Sequence, residues 1–424
     1  MAWTPELVVK PANGPLRLIL RPPWLLLAPK TSGYIREEYV APPDHTFTLP
    51  DHSSVKTTET DGVIEVVLPS SSVVVFEPSQ RTLRTSPHGI VNDDRAVSSP
   101  AVVLKPKESS ELSIADVWAA LYAFWIRRSQ LEVHPLILTE SSSLKNVDEI
   151  LTYLTHTGLA LSPPDAQTSY ELLINRAAFW QGAGCPTHLH WLRTPVPFPG
   201  LSPLHPFPFT QSFTRSEHVL TTHPLRPPKP APGSVIYSRY IHQVGQHLTF
   251  THIDASNPEH FATYSKWQNT DRVNVGWREK GPDEKHRTYL ADRLADKHIM
   301  GFIVAWDGEF AGYGEMSWVK EDPMGTYVGG LGDYDQGTHL LIGEEKFRGR
   351  QRFTAVMTAM KHACFLRDPR TEVVVGEPRA DLPIVPRLIA YLPQELNREF
   401  EFPHKRAVYF ALRRERFFQA AMLD

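Results

Sequence analysis

Between Cys185 and Gly233 the chain carries proline at high density, in PVPFPGLSPLHPFPF and again in HPLRPPKPAPGS. Proline fixes φ and donates no backbone hydrogen bond, so neither a helix nor an interior strand runs through such a block. The packed parts must be built from the two flanks. Interleaved Phe198, Phe207, Phe209 and Phe213 argue that the first part of the block packs on a surface, while the second part reads as a linker. The expected division is an N-terminal domain over 1–185, a proline-rich linker over 186–234 and a C-terminal domain over 235–424.

The N-terminal flank opens with β-branched runs at Glu6–Lys10, Leu16–Leu20, Val63–Leu68 and Val73–Glu77, separated by turn clusters such as Ala12-Asn13-Gly14. The last two runs, joined by Pro-Ser-Ser-Ser, read as a hairpin. Helices follow. Ser113 caps a helix with Asp116 in its first turn, and Trp118, Leu121, Tyr122 and Trp125 share one face. Further helices are predicted from Asn146 to His156 and from Ser169 to Gln181, each stopped by glycine. Strands followed by helices make this half α+β. It holds no clustered acids and histidines, no phosphate loop and no nucleophile motif, so a structural or dimerising role is expected.

The C-terminal flank has a different rhythm. A strand at Leu248–Ile253 precedes a helix opened by Asn257-Pro258, a polar stretch containing Trp277, and a helix near His286–Lys297. A hairpin joins Gly301–Trp306 to Ala311–Lys320 through Asp307-Gly308. The stretch Tyr334 to Leu392 then reads as strand, basic turn, helix (Thr354–Leu366), strand (Thr371–Gly376) and helix (near Pro383–Leu392). Paired strands at Arg398–Phe402 and Ala407–Arg413 end the chain. Arg348-Gly349-Arg350 opens the helix Thr354–Leu366, whose unpaired N–H groups and dipole favour an anion, with glycine allowing close approach.

Composition excludes several chemistries. A formal net charge of −3 in 424 residues argues against nucleic acid or an anionic membrane as partner. Two cysteines, Cys185 and Cys364, exclude a disulfide framework and a cysteine-rich metal site. The histidines are scattered, with neither HExxH nor GxSxG present, so metal and serine-nucleophile catalysis are not expected. No segment is long and apolar enough to span a bilayer. The first residues lack a secretory pattern and Met422-Leu423-Asp424 is not an SKL-type address, so the expected compartment is the cytosol.

Five motifs carry a resemblance: KWQNTDRVNVGW (Lys266–Trp277), GYGEMSWVKED (Gly312–Asp322), YDQGTHLLIGE (Tyr334–Glu344), FRGRQRF (Phe347–Phe353) and EPRADL (Glu377–Leu382). In this order the stretch from Gln246 to Arg416 resembles the GNAT acyltransferases that acylate N-hydroxyornithine or N-hydroxylysine in siderophore biosynthesis, most closely the fungal N-hydroxyornithine transacylases. The resemblance implies an α+β protein with a C-terminal GNAT (acyl-CoA N-acyltransferase) fold. The strand–helix order of the N-terminal domain suits a degenerate copy of that fold, without its phosphate turn. The implied enzyme moves an acyl group, anhydromevalonyl or acetyl, from acyl-CoA to the hydroxylated side-chain nitrogen. The resulting hydroxamate offers paired hard oxygens to ferric iron. The resemblance leaves the peroxisome open as a compartment and allows for a homodimer. Two other readings stand beside it: a GNAT enzyme for an ordinary amine, and a silent acyl-CoA-binding scaffold.

The same resemblance implies the site. His339 is the expected base and Glu377 its orienter, with Asp381 a further candidate that suits a helix cap. Leu341, Ile342, Gly343, Arg348, Gly349, Arg350 and Arg352 are expected to hold acyl-CoA, the oxyanion being bound by a backbone N–H of the His339–Gly343 strand. The fold's R-x-x-G-x-G/A pattern keeps Arg348, but Gln351 and Phe353 stand at its glycine positions. Asn269, Trp277, Glu315, Trp318, Lys320 and Asp335 are expected around the acceptor. Strand alternation turns Glu315 away from Trp318 and Lys320.

Overall fold

Alternating apolar residues set the first sheet. Val55 and Thr57, Ile64 and Val66, and Val74 and Phe76 turn inward from three successive antiparallel strands. The computed structural model describes residues 39–85, 97–108, 110–138, 143–163, 165–193, 226–382, 390–420 and 422–423. It also describes the backbone of strands Glu6–Val9, Leu16–Ile19, Lys30–Thr31, Phe209–Phe213 and Leu220–Pro224. Phe198, Phe207 and most of the helix expected near Pro383–Leu392 lie outside the described residues.

The N-terminal sheet comprises β1 (Asp44–Thr48), β2 (Ser54–Thr60), β3 (Val63–Val67), β4 (Val73–Thr85), β5 (Val97–Pro106), β6 (Val133–Ile137), β7 (Ala160–Leu161) and β8 (Glu171–Asn175). Helix α1 (Ile114–Arg127) crosses between β5 and β6, α2 (Val147–His156) precedes β7, and the short α3 (Arg176–Trp180) follows β8. The predicted helix from Ser169 to Gln181 is therefore corrected. Its first half is strand β8, in which Leu172 and Ile174 are buried and the backbone pairs with β6. Pairing across the sheet overrides the local helical reading.

The C-terminal sheet contains β9 (Val235–Ile241), β10 (Gln246–His252), β11 (Ile299–Trp306), β12 (Glu309–Trp318), β13 (Gln336–Ile342), β14 (Val373–Gly376), β15 (Glu395–Phe402) and β16 (Lys405–Arg413). Helices α4 (Pro258–Gln268), α5 (Asp271–Trp277) and α6 (Asp283–Ala295) lie between β10 and β11 in sequence. They are followed by α7 (Pro323–Val328), α8 (Arg350–Arg367) between β13 and β14, and α9 (Arg414–Gln419). Helix α5 occupies what reads in the sequence as a polar stretch, and Thr270 caps it. The Asp307-Gly308 turn forms as expected, both residues having positive φ.

The two sheets share one strand order. Each runs through five consecutive antiparallel neighbours, crosses by a helix to a parallel sixth strand, and continues with the last two strands exchanged: 1-2-3-4-5-6-8-7 and 9-10-11-12-13-14-16-15, the second sheet being extended beyond β15 by the short strand Lys30–Thr31. In each, the parallel pair holds for two rungs: Val102↔Leu136 and Val103↔Ile137, and Gln336↔Val374 and Gly337↔Val375. The helices α4 to α6 have no N-terminal counterpart, because a tight turn at Asp61-Gly62 joins β2 to β3. The turn before α1 also differs from that before α8. Ser113 and Asp116 form a capping box, so side-chain oxygens already occupy the helix start where an anion would sit.

One core joins the halves. Trp191, in the segment after α3, packs 5.5 Å from Trp118 of α1, 5.2 Å from Trp180 of α3 and 5.2 Å from His362 of α8 (ring centroids). His362 bonds the Trp180 carbonyl at 2.8 Å and the Tyr237 hydroxyl at 3.0 Å. The beginning of the proline-rich block thus packs into this core, with Leu189 and Trp191 buried.

Candidate active site

The site grows out of the parallel pair β13–β14. After Gly337 the two strands no longer pair, and a gap opens between them. Gly343 donates to Ala311 and Val319 to Asp335, which sets the hydrogen-bonded rungs of the β12–β13 ladder. By alternation, the N–H groups of His339 and Leu341 face β12, whereas those of Leu340 and Ile342 face the gap. The backbone donors available to a ligand in the gap are therefore those of Leu340 and Ile342. Leu341 is buried in the core, and Gly343 is pressed so closely on the Trp267 ring that a Cβ would lie 2.2 Å from it. Both are structural rather than cofactor contacts.

Tyr313 and Glu315 of β12 and His339 and Leu341 of β13 face α4 to α6. On that face His339 stands opposite Glu315, its rung partner. The His339 Nδ1 lies 3.2 Å from Glu315 Oε2 and its Nε2 lies 2.8 Å from Glu377 Oε1 at the end of β14. Glu315 also accepts from Tyr289 at 2.7 Å and Tyr313 at 3.0 Å, with Arg293 at 3.4 Å. Glu377 is ion-paired to Lys405 of β16, which also donates to the Glu377 carbonyl at 2.9 Å. Trp277 sets its ring edge-on to His339, with centroids 6.2 Å apart. The His339 side chain remains 44% exposed at the floor of this cleft, whereas Glu315 is 4% exposed.

The charges settle the protonation state. Desolvation is the largest influence on His339 and pushes its pKa down, but the charges and hydrogen bonds of Glu377 and Glu315 together raise it to about 10. Burial pushes Glu377 up, yet His339 and Lys405 outweigh it and hold its carboxyl at about 2. Glu315 also ends below its ordinary value: burial opposes ionisation, and the His339 hydrogen bond leads the opposing effects. At neutral pH the ring is an imidazolium donating from both nitrogens, and the array of Glu315, His339 and Glu377 carries one net negative charge. His339, expected from the sequence as the base, therefore carries its proton at neutral pH in this arrangement.

At the other end of the gap, Gly349 adopts φ 130°, a conformation favouring glycine, and α8 begins without a side-chain cap. A cavity of about 390 Å³ opens here, lined by Gln243, Val244 and residues 348–352. Its arginines are partly engaged. Arg348 pairs with Glu345, Arg350 bonds the Tyr391 hydroxyl at 3.1 Å, and Arg352 donates to Gln246 at 2.7 Å. The uncapped N–H groups and three cations suit a diphosphate.

Four expected acceptor residues have other contacts. Asn269 accepts from Gly281 N–H, and Asp335 accepts from the N–H groups of Gly332 and Val373, fastening β13 to β14. Lys320 pairs with Asp333. Trp318 lies on the opposite sheet face from Glu315, under Arg226 and Arg367. Asp381 pairs with Arg379 and does not reach His339, and the helix it was expected to cap falls on residues outside those described. Sequence reasoning missed Tyr289, Tyr313, Arg293 and Lys405. Only Tyr313 had a local signal, two residues before Glu315 on the same strand.

Residues 256–402 match the family model of an acetyltransferase (GNAT) domain. The chain is 71% identical to an acyltransferase of Omphalotus olearius, over 93% of this chain and 99% of that one. It is 55% identical to an acyltransferase of Mycosarcoma maydis, over 81% and 78% of the two chains. It is also similar, at 34% identity over 73% of this chain and 74% of the other, to the N(5)-hydroxyornithine:cis-anhydromevalonyl coenzyme A-N(5)-transacylase of Beauveria bassiana.

Proposed function

The chain belongs to the acyltransferases with a GNAT domain, and on that premise we propose that it transfers an acyl group from acyl-CoA to the hydroxylated side-chain nitrogen of N-hydroxyornithine. The product is a hydroxamate of the kind siderophores use to hold ferric iron. The observation that carries the acceptor class is His339, bridged by two carboxylates and held as an imidazolium. Glu377, its carboxyl held at about 2, is too weak a base to strip a proton from an alkylammonium and takes one only from the far more acidic nitrogen of the adduct. A hydroxylamine nitrogen is less basic and arrives unprotonated, so it asks for orientation first and proton transfer only as the C–N bond forms.

In this reading acyl-CoA lies along the gap, with its diphosphate at Gly349–Arg352 and its thioester carbonyl toward the N–H groups of Leu340 and Ile342. The nitrogen enters from the α5–α6 side beside Trp277 and attacks the carbonyl carbon. Its proton passes to Glu377. Collapse of the tetrahedral adduct breaks the C–S bond, and the His339 imidazolium protonates the departing thiolate. Proton transfer from Glu377 to His339 restores the starting array. Glu315 holds the ring by Nδ1 throughout and is anchored by Tyr289 and Tyr313. Anhydromevalonyl is proposed over acetyl, with support from the wider match to the Beauveria bassiana anhydromevalonyl transacylase, 73% of this chain against 47% for the N5-hydroxyornithine acetylase of the same organism.

A thiol-release assay with anhydromevalonyl-CoA or acetyl-CoA, and with ornithine or N-hydroxyornithine as acceptor, tests the reading. Turnover confined to the hydroxylated acceptor supports it. Equal turnover with ornithine assigns the enzyme to ordinary amines, and acyl-CoA binding without turnover on either acceptor points to a scaffold.

A further inference from the structure

N-hydroxyornithine carries an α-carboxylate as well as the reacting nitrogen, and a carboxylate brought out of water needs a cationic partner. Helices α5 and α6, on the face that His339 presents, hold four lysine and arginine side chains. Arg272 pairs with Glu345 and donates to the Gly343 carbonyl, Lys285 pairs with Glu279, and Arg287 lies 3.8 Å over the Phe261 ring of α4. The fourth is Arg293, in the last turn of α6.

Arg293 is fixed beside the reacting groups. Its guanidinium stacks 4.5 Å from the centroid of the Tyr289 ring, and Nε lies 3.4 Å from Oε1 of Glu315, whose other oxygen meets His339. Oε1 already accepts from the hydroxyls of Tyr289 and Tyr313, so the buried Nε gains charge attraction without a hydrogen bond. Nη1 and Nη2 donate no hydrogen bond among the described residues, and unlike Nε they are not enclosed, the side chain being 25% exposed. A planar cationic fork with unspent donors, set against a carboxylate that is already fully bonded, is suited to a second carboxylate from outside.

We propose that Arg293 binds the α-carboxylate of the acceptor, and so selects an amino acid over a simple hydroxylated amine. This rests on the hydroxyornithine reading. In the extended acceptor the carboxyl carbon lies roughly 6 Å from the hydroxylated nitrogen. That length is comparable to the step from His339 to Arg293, which runs through contacts of 3.2 and 3.4 Å to the two oxygens of Glu315. With its carboxylate on Arg293, the acceptor lies across Glu315 and brings its nitrogen to His339 and Glu377. Glu315 then orients the imidazolium through one oxygen and the carboxylate-binding cation through the other.

Thiol-release kinetics with N-hydroxyornithine and with N-hydroxyputrescine, which lacks only the α-carboxylate, test the assignment. The unaltered enzyme should favour the amino acid roughly 10- to 100-fold in kcat/KM, mainly through KM, as one charge-assisted bidentate contact provides. Arg293→Gln should bring the two acceptors close to parity, and Arg293→Lys, which keeps the charge without the fork, should fall between. Any damage to the Glu315–His339 contact lowers both acceptors alike and cancels in the ratio. A preference that survives Arg293→Gln therefore overturns the assignment. Equal use of both acceptors by the unaltered enzyme, a comparison that needs no variant, also overturns it and leaves transfer to a hydroxylated nitrogen standing. Turnover with neither acceptor overturns the hydroxyornithine reading and the carboxylate site together.

Discussion

Replacing Glu315 by glutamine removes one charge and keeps the shape, at a residue 3% exposed. The carboxylate serves His339 through one oxygen and Tyr289 and Tyr313 through the other. An amide keeps one acceptor and turns the other into a donor, so one set of these bonds is lost whichever way it faces. Hydrogen bonds to a charged group contribute about 1.5–3 kcal/mol, and breaking a buried pair costs about 3–5 kcal/mol. Arg293 is 25% exposed and can rehydrate, so the cost falls below that of a fully buried pair and near that of the lost charged hydrogen bond, about 2–3 kcal/mol in unfolding free energy. The ring keeps its Glu377 bond but loses its anchor at Nδ1. Turnover should fall about 10²- to 10³-fold, less than the ~10⁴ seen when a triad histidine loses its orienting carboxylate altogether. The KM for acyl-CoA should hold, because Glu315 stands on the acceptor face. Removing one of two carboxylates should also move the His339 limb of the pH–rate profile downward. A thiol-release assay across pH reads all three quantities. A variant that is merely less stable, with unchanged kcat and pH profile, would refute a positioning role.

The ion pair of His339 predicts a pH window. Because the folded pKa of His339 is raised to about 10, its contribution is fully present below the free value near 6.5 and is lost as pH rises through 10; because that of Glu377 is lowered to about 2, its contribution is present above about 4.5 and lost as pH falls through 2. The melting-temperature gap between the unaltered protein and His339→Gln should thus be widest between about pH 4.5 and 6.5 and shrink above it. The same variant should lose turnover by orders of magnitude while acyl-CoA binding, followed by calorimetry, stays near normal. Gly349→Ala should weaken acyl-CoA about tenfold, since its φ of 130° strains any L side chain although nothing lies within 4 Å of the added Cβ. Trp191→Ala should cost about 3–5 kcal/mol in chemical denaturation, its ring being fully buried between α1, α3 and α8.

Much of the site was legible in the chain because its signals are local. His339 and Glu377 sit in short motifs, and Arg348-Gly349-Arg350 abuts a helix start. Glu315 was read as an acceptor contact because its true partner lies across a ladder rung, 24 residues away, and register is not written in either strand alone. Asp335 and Asn269 resemble site residues in sequence, yet both spend their oxygens on backbone N–H groups brought near only by folding. The segment 169–181 has apolar spacing compatible with a helix, and pairing of β8 with β6 decided otherwise. The internal copy was readable only as a rough succession of strands and helices, and the strand order itself came from pairing that no single segment encodes. The capping box at Ser113 and Asp116, read in the sequence as an ordinary helix start, marks the place where the phosphate turn is missing.

The proposed reaction forms a hydroxamate on a hydroxylated side-chain nitrogen. Mass spectrometry of N-hydroxyornithine incubated with the enzyme and a panel of acyl-CoAs tests it most directly, because the mass gained identifies the acyl group and fragmentation locates it. The expected product is acylated at the hydroxylated nitrogen, forms fastest with anhydromevalonyl-CoA and is absent when ornithine replaces the acceptor. Comparable acylation of ornithine, or no product from any acyl-CoA in the panel, would contradict it.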